Sequence, residues 1–206
     1  MVFRHWRVAG LLLLCSWLVW GAGGPLGIDH RWNYDDRGLW KRSYQVGLED
    51  GVLLLEVVGA FSTQGDPRLG LTFRRCIDST VFTAISTEVL KLSTQRARPE
   101  QADNPNLWFK GRTYESFPSG EVALQASFVT PFIAEYHADH PWVWALEALP
   151  AYDSLARMKV QAHWQTDVLA GWALGTALGI YSQRRESPLI FGLLPHGFSA
   201  TYRAKW

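Results

Sequence analysis

Apolar positions recur at helical spacing through the middle of this chain and alternate with polar ones only at its end. Val52, Leu55, Val58, Ala60 and Phe61 fall on one helical face from Asp50 onward, and Gly65, Asp66 and Pro67 then break the pattern. Phe73, Ile77, Val81, Ile85, Val89 and Leu90 predict one long helix over Leu71 to Ala97. It should stop near Arg98, because Pro99 disfavours helical backbone in the residue before it. Residues 100–120, with Pro105, Gly111, Pro118 and several Asn and Asp, read as a loop. A third helix is predicted from an N-cap at Ser119 to about His137, with Pro131 as a candidate kink. A short helix follows over Pro141 to Leu149, and one or two more over Tyr152 to Tyr181. Residues 24–48 show no clear period and read as an irregular arm. From Phe198 to Trp206 apolar and polar residues alternate, a strand signal, and Pro195 to Gly197 can turn Leu189–Leu194 back against it as a hairpin. The predicted fold class is all-α with a short C-terminal β-hairpin.

The first 23 residues belong to a different category. Arg4, His5 and Arg7 precede an apolar run from Leu11 to Trp20, and Gly21, Ala22 and Gly23 are small enough for a cleavage site. This is the pattern of a secretory signal peptide, which predicts export to the periplasm; the alternative is an uncleaved membrane anchor. Loss of Arg4 and Arg7 takes the formal charge from +1 to −1, so the chain lacks the basic balance of a nucleic-acid binder. Cys15 goes with the same segment and Cys76 is left alone, so no internal disulfide is expected. The layout expected is a signal segment over 1–23, an arm over 24–48, a helical domain over 49–187 and a tail over 188–206. The longest uncharged run after the signal, between Asp167 and Arg184, is about 16 residues, short of the roughly 20 that span a bilayer. The expectation is a soluble helical body, with contact to a membrane surface as the alternative.

Three segments carry chemistry. In Lys91-Leu-Ser-Thr-Gln-Arg-Ala-Arg98-Pro99, Lys91 and Arg98 stand seven apart, two turns of one helix, so both cations would face one way. Their side chains are the two that suit phosphate, a point charge and a planar fork. In Phe117-Pro118-Ser119-Gly120-Glu121, a Ser-Gly pair opening a helix would aim backbone N–H groups at an anion. In the third, Arg157 precedes His163 by six residues and Asp167 follows it by four, so that His163 and Asp167 would share a helix face. A carboxylate there can fix the imidazole tautomer and free the other nitrogen to attack. Arg96 and Lys159 are expected on solvent faces and Trp164 and Trp172 in the core; Trp108 and Phe109, in the loop before Ser119, are lesser candidates for a pocket mouth. The Gly171, Gly175 and Gly179 spacing permits close helix packing.

In this order and at these spacings the segments resemble the type 2 phosphatidic acid phosphatase (PAP2) superfamily, which also contains bacterial acid phosphatases and vanadium haloperoxidases. The family pattern is Lys-x6-Arg-Pro, Pro-Ser-Gly-His, then Ser-Arg-x5-His-x3-Asp. Lys91 to Pro99 match without departure, and the third motif matches from Arg157 with Ala156 in place of Ser. The resemblance implies a bundle of about six helices. It also implies a phosphohistidine intermediate on His163 with Asp167 orienting the ring, and phosphate held by Lys91, Arg98, Arg157 and the Ser119–Gly120 backbone. No metal or other cofactor is implied. The partner expected is a phosphorylated small molecule or a lipid (di)phosphate; oligomeric state is not legible.

One departure bears on mechanism. Glu121 stands where the family places the histidine that protonates the leaving group. Three outcomes stay open: Glu121 is itself a working acid; the substrate is a diphosphate, whose leaving group needs no acid; or catalysis is impaired and the chain binds a phosphorylated ligand or serves envelope assembly.

Overall fold

The computed structural model describes residues 23–63, 65–185, 189–194 and 197–202. The signal segment and Cys15, over residues 1–22, lie outside them. Among the described residues are five α-helices, α1 (Arg42–Ser62), α2 (Pro67–Thr94), α3 (Gly120–Tyr136), α4 (Ala148–Lys159) and α5 (Gln165–Gln183). Short 3-10 turns cover Gly38–Trp40 and Pro141–Glu147. Strands β1 (Leu189–Leu194) and β2 (Gly197–Tyr202) form the expected antiparallel hairpin, with Leu189 opposite Tyr202, and β1 lies against α2. The fold is all-helical apart from this hairpin.

Helix α3 runs through the centre, against α5, α2, α4 and α1. Its closest neighbour is α5, and the glycine spacing explains why. A Cβ on Gly171 would run into the Ser119 carbonyl, one on Gly175 into the Ala123 carbonyl, and one on Gly179 into the Thr130 side chain. Gly175→Ala sets two effects against each other. Better helix propensity is worth up to about 1 kcal/mol, whereas overpacking against rigid backbone costs about 1–3 kcal/mol. Thermal unfolding should show net destabilisation.

Several boundaries differ from the sequence reading. The arm ends earlier than residue 48, because α1 begins at Arg42. Its first turns are exposed and the residue they bury is the polar Gln45, so no apolar period marks them. The break expected at Gly65 to Pro67 is present between α1 and α2, and Asp66 and Pro67 also start α2. The Asp66 carboxylate accepts from the Arg68 and Leu69 N–H groups at 3.0 Å each, and proline occupies the first turn. Helix α2 ends at Thr94, with Gln95 in the left-handed region at φ 46°. Residues 95–98 are therefore not helical.

The helical faces also point differently from the expectation. Phe73 and Ile77 are buried, but Val81, Ile85 and Val89 are exposed, as are Leu54, Leu55, Val57 and Val58 of α1. The interior along these stretches is polar instead: Glu56, Asp78, Ser79, Thr80, Thr83 and Thr87 are all buried. Thr80 Oγ1 donates to Glu56 at 2.7 Å, and burial pushes Glu56 up to about 7. No helix among the described residues is long and apolar enough to cross a membrane.

Candidate active site

The three motif segments meet at one cavity of about 220 Å³. Lys91 and Glu88 reach it from α2, Gly120 and Glu121 from the start of α3, and Arg157 from the end of α4. Arg98 and His163 enter from the turns that follow α2 and α4. Lys91 and Arg98 thus converge because the chain reverses after Thr94, not because they share a helix face. Gly120 leaves room for Lys91, whose Nζ would lie 3.4 Å from a Cβ placed there.

His163 is buried, in the turn before α5 rather than on it. Its Nδ1 lies 2.7 Å from the Ser116 carbonyl oxygen. A carbonyl only accepts, so Nδ1 carries the proton and Nε2 keeps its lone pair. Burial holds the imidazole well below the usual histidine range, and the Arg157 and Arg98 guanidiniums add to this. The ring is therefore neutral at neutral pH.

Asp167 does not orient the ring by direct hydrogen bond, as the sequence reading had it. Its Oδ2 is 3.9 Å from His163 Nδ1. The geometry behind that expectation fails because His163 lies outside the helix that carries Asp167. Asp167 instead accepts from Ser116 Oγ at 2.5 Å and the Trp164 N–H at 2.9 Å, and pairs with Arg96. Burial raises it to about 6, with Arg96 opposing. Ser116 lies between the two: Asp167 holds its hydroxyl and its carbonyl receives the ring proton.

Arg96, expected on a solvent face, is fully buried. It donates to Asp29 at 2.6 Å, Thr166 Oγ1 at 2.8 Å and the Pro105 carbonyl at 2.8 Å, and it stacks over Trp108 at 4.5 Å. Asp29 comes from the arm and also accepts from the Thr166 N–H and hydroxyl at 2.8 and 2.6 Å. Trp164 is buried in the core as expected, its Nε1 donating to the Ala97 carbonyl at 2.7 Å. Trp108 and Phe109 do not line the cavity. Ser119 departs from its expected role: its N–H donates to the Asp167 carbonyl at 3.0 Å and its side chain makes no cap bond, so its N–H does not face the cavity. Of that motif, Gly120 and Glu121 line the wall.

Glu121 is gripped by a residue the sequence reading missed. Arg42 of α1 donates to both its oxygens, at 2.6 and 2.8 Å, and Arg157 Nη1 lies 3.4 Å from Oε1. Gln45 Oε1 accepts from Arg157 at 3.1 Å and from Arg42 at 3.3 Å, so one amide ties the guanidiniums together. Glu49, also of α1, lines the cavity, and Asp153 lies behind it on α4. Neither was marked by any spacing; only their place on helix faces next to Gln45 and Arg157 would have drawn attention to them.

An all-helical bundle whose motif residues ring one cavity, with Lys91, Arg98 and Arg157 set among Glu49, Glu88 and Glu121, defines a class, and the comparisons agree with it. The chain belongs to the PAP2 superfamily, whose family model matches residues 76–187. It is 29% identical over 122 residues to an undecaprenyl-diphosphatase of Sulfolobus acidocaldarius, covering 58% of this chain and 56% of that one. It is 28% identical over 130 residues to a lipid A 1-phosphatase of Rhizobium johnstonii, covering 60% and 52%. The chain thus spans just over half the length of these relatives. In fold it is similar to the crystal structure of Aquifex aeolicus LpxE (TM-score 0.50, 18% identity, 70% of this chain and 87% of that one). It is also similar to a transmembrane PAP2-type phosphatidylglycerolphosphate phosphatase from Bacillus subtilis (TM-score 0.52, 21% identity, 72% and 77%).

Proposed function

We propose that this protein is a lipid phosphate phosphatase that transfers the phosphoryl group to Nε2 of His163 and then to water. The observation that carries the reading is the neutral, tautomer-locked imidazole in a cavity walled by Lys91, Arg98 and Arg157. A nucleophile with its lone pair free faces three cations that can hold equatorial phosphoryl oxygens and offset the charge of the transition state. Gly120 lets the phosphate approach backbone closely. Asp167 and Arg96 act behind the ring as positioning residues, through Ser116.

A lipid substrate is supported by the inverted faces of α1 and α2. Ile85 and Val89 are exposed beside Ala84 and Glu88 of the cavity wall, and an apolar surface of this kind marks a partner that is itself apolar. Helix α1 also walls an apolar groove of about 640 Å³ with Leu48, Val52 and Leu55, against Phe73, Phe132 and Trp142. The relatives named above are called after undecaprenyl diphosphate and lipid A, which agrees.

The test is phosphate release from a prenyl diphosphate, a lipid A 1-phosphate, phosphatidate and a soluble alkyl phosphate, in detergent micelles. The lipids should exceed the soluble ester in kcat/KM. Because His163 is depressed below 6.5, the acid limb of the pH profile should lie below the ordinary histidine range. Tight vanadate binding without turnover of any substrate would overturn catalysis in favour of a phospholigand-binding protein.

A further inference from the structure

We propose that Glu49, not Glu121, is the acid that protonates the leaving group. The inference rests on the His163 reading above and adds to it a residue from outside the three motifs.

Glu121 occupies the family's acid position but is arranged as an acceptor. Both its oxygens receive hydrogen bonds from Arg42, and Oε1 also faces Arg157. A proton on either oxygen would neutralise the carboxylate and strip the charge assistance from both Arg42 bonds. Glu121 thus serves as the counter-ion that fixes Arg42 and Arg157 at the wall.

Glu49 differs in each respect. It lines the same cavity as His163, Lys91, Arg98 and Arg157. Among the described residues it has no cation within ion-pair distance and no hydrogen-bond partner. The groups around it are Arg42 and Asp50 on its own helix, Glu121 on α3, and Arg157 and Asp153 on α4. Lys91 and Glu88 of α2, with Arg98, complete the wall. Glu49, Glu121 and Asp153 crowd three carboxylates at this corner, where Arg42 and Arg157 are both engaged by Glu121. Burial and the Glu121 carboxylate raise Glu49, while Arg42 and Arg157 oppose. Asp153 is pushed up to about 7, again chiefly by burial, with neither oxygen hydrogen-bonded. It is 1% exposed and absent from the cavity wall, so it does not reach a substrate.

The step balances without another reagent. Nε2 of His163 attacks phosphorus and forms the N–P bond. The P–O bond to the leaving group breaks, and its electron pair takes the Glu49 proton, leaving an alcohol and a Glu49 carboxylate. That carboxylate then accepts a proton from water as the water oxygen attacks phosphorus. The N–P electron pair returns to Nε2 and inorganic phosphate departs.

The experiment compares Glu49→Gln, Glu121→Gln and wild type on an alkyl phosphate, whose alkoxide needs a proton, and on 4-nitrophenyl phosphate, whose phenoxide does not. Glu49→Gln should lower kcat on the alkyl ester by roughly 100-fold or more, the usual worth of a general acid, and on the nitrophenyl ester by less than about tenfold. The alkaline limb of the wild-type alkyl-ester profile, where a raised carboxyl loses its proton, should vanish in this variant. Equal losses on both esters, or a change in KM alone, would overturn the assignment, and a leaving-group-selective loss in Glu121→Gln would return the role to that residue. Glu49→Asp, which keeps the proton but sets it back by one methylene, should retain the selectivity of wild type at reduced rate and covers a misfolded glutamine variant. Full activity in a His163 variant would instead defeat the parent reading, so the two failures are distinguishable.

Discussion

His163→Asn should lower turnover by roughly 10⁴-fold or more, the scale on which removal of a hydrolase nucleophile acts. Asparagine can still donate to the Ser116 carbonyl that now receives the Nδ1 proton at 2.7 Å, so the local fold keeps its hydrogen bond while the attacking lone pair disappears. Phosphate release reads the loss, and an acid-quenched reaction should show an acid-labile phosphoprotein with wild type and none with the variant. Retention of more than about one hundredth of wild-type turnover would exclude His163 as nucleophile, since a residual rate from cation binding alone is far smaller.

Arg96→Met should be the most damaging substitution for stability, by about 3–5 kcal/mol. Arg96, Asp29 and Asp167 have no exposed side-chain surface, and Arg96 is the cation between the two carboxylates. Removing it leaves two buried anions facing one another without compensation. For a chain of this size each kcal/mol moves the midpoint by about 2–4 °C, so a thermal melt should fall by roughly 6–20 °C. Adding Asp29→Asn to the same chain should recover part of the loss by removing one uncompensated charge. Arg96→Lys should rescue little, because one ammonium cannot reproduce a fork that serves Asp29, Thr166 and the Pro105 carbonyl together. A melt unchanged by Arg96→Met would show that the buried triad contributes no net stability.

The sequence disclosed which residues meet but not always how. Lys91, Arg98, Arg157, His163, Gly120 and Glu121 do line one cavity, as their order and spacing imply. The helical route to that meeting was wrong twice, at Arg98 and at His163, because both lie in turns beyond a helix end, and periodicity does not say on which residue a helix stops. The Ser116 acceptor was invisible in principle: it is a main-chain carbonyl, and every residue has one. Arg42 and Glu121 lie 79 positions apart, a pairing that no local spacing can encode. Hydrophobic period located the apolar stripe of α2 correctly at Val81, Ile85 and Val89, but a stripe does not state whether protein or lipid will cover it. Here the inner face of that half-helix is hydroxyl-rich and the outer face apolar, the reverse of the usual arrangement.

Asp29 sits 47 residues before the first position that the family model matches, yet it clamps the Arg96 guanidinium and the opening turn of α5. Arg42, Gln45 and Glu49 stand upstream of that boundary too. The stretch that a signature scan would excise is accordingly not a self-sufficient unit. It would carry every diagnostic letter while leaving Arg96 to Asp167 alone, without the carboxylate that ties its guanidinium to Thr166, and recombinant fragments trimmed to the recognisable portion begin with that defect built in.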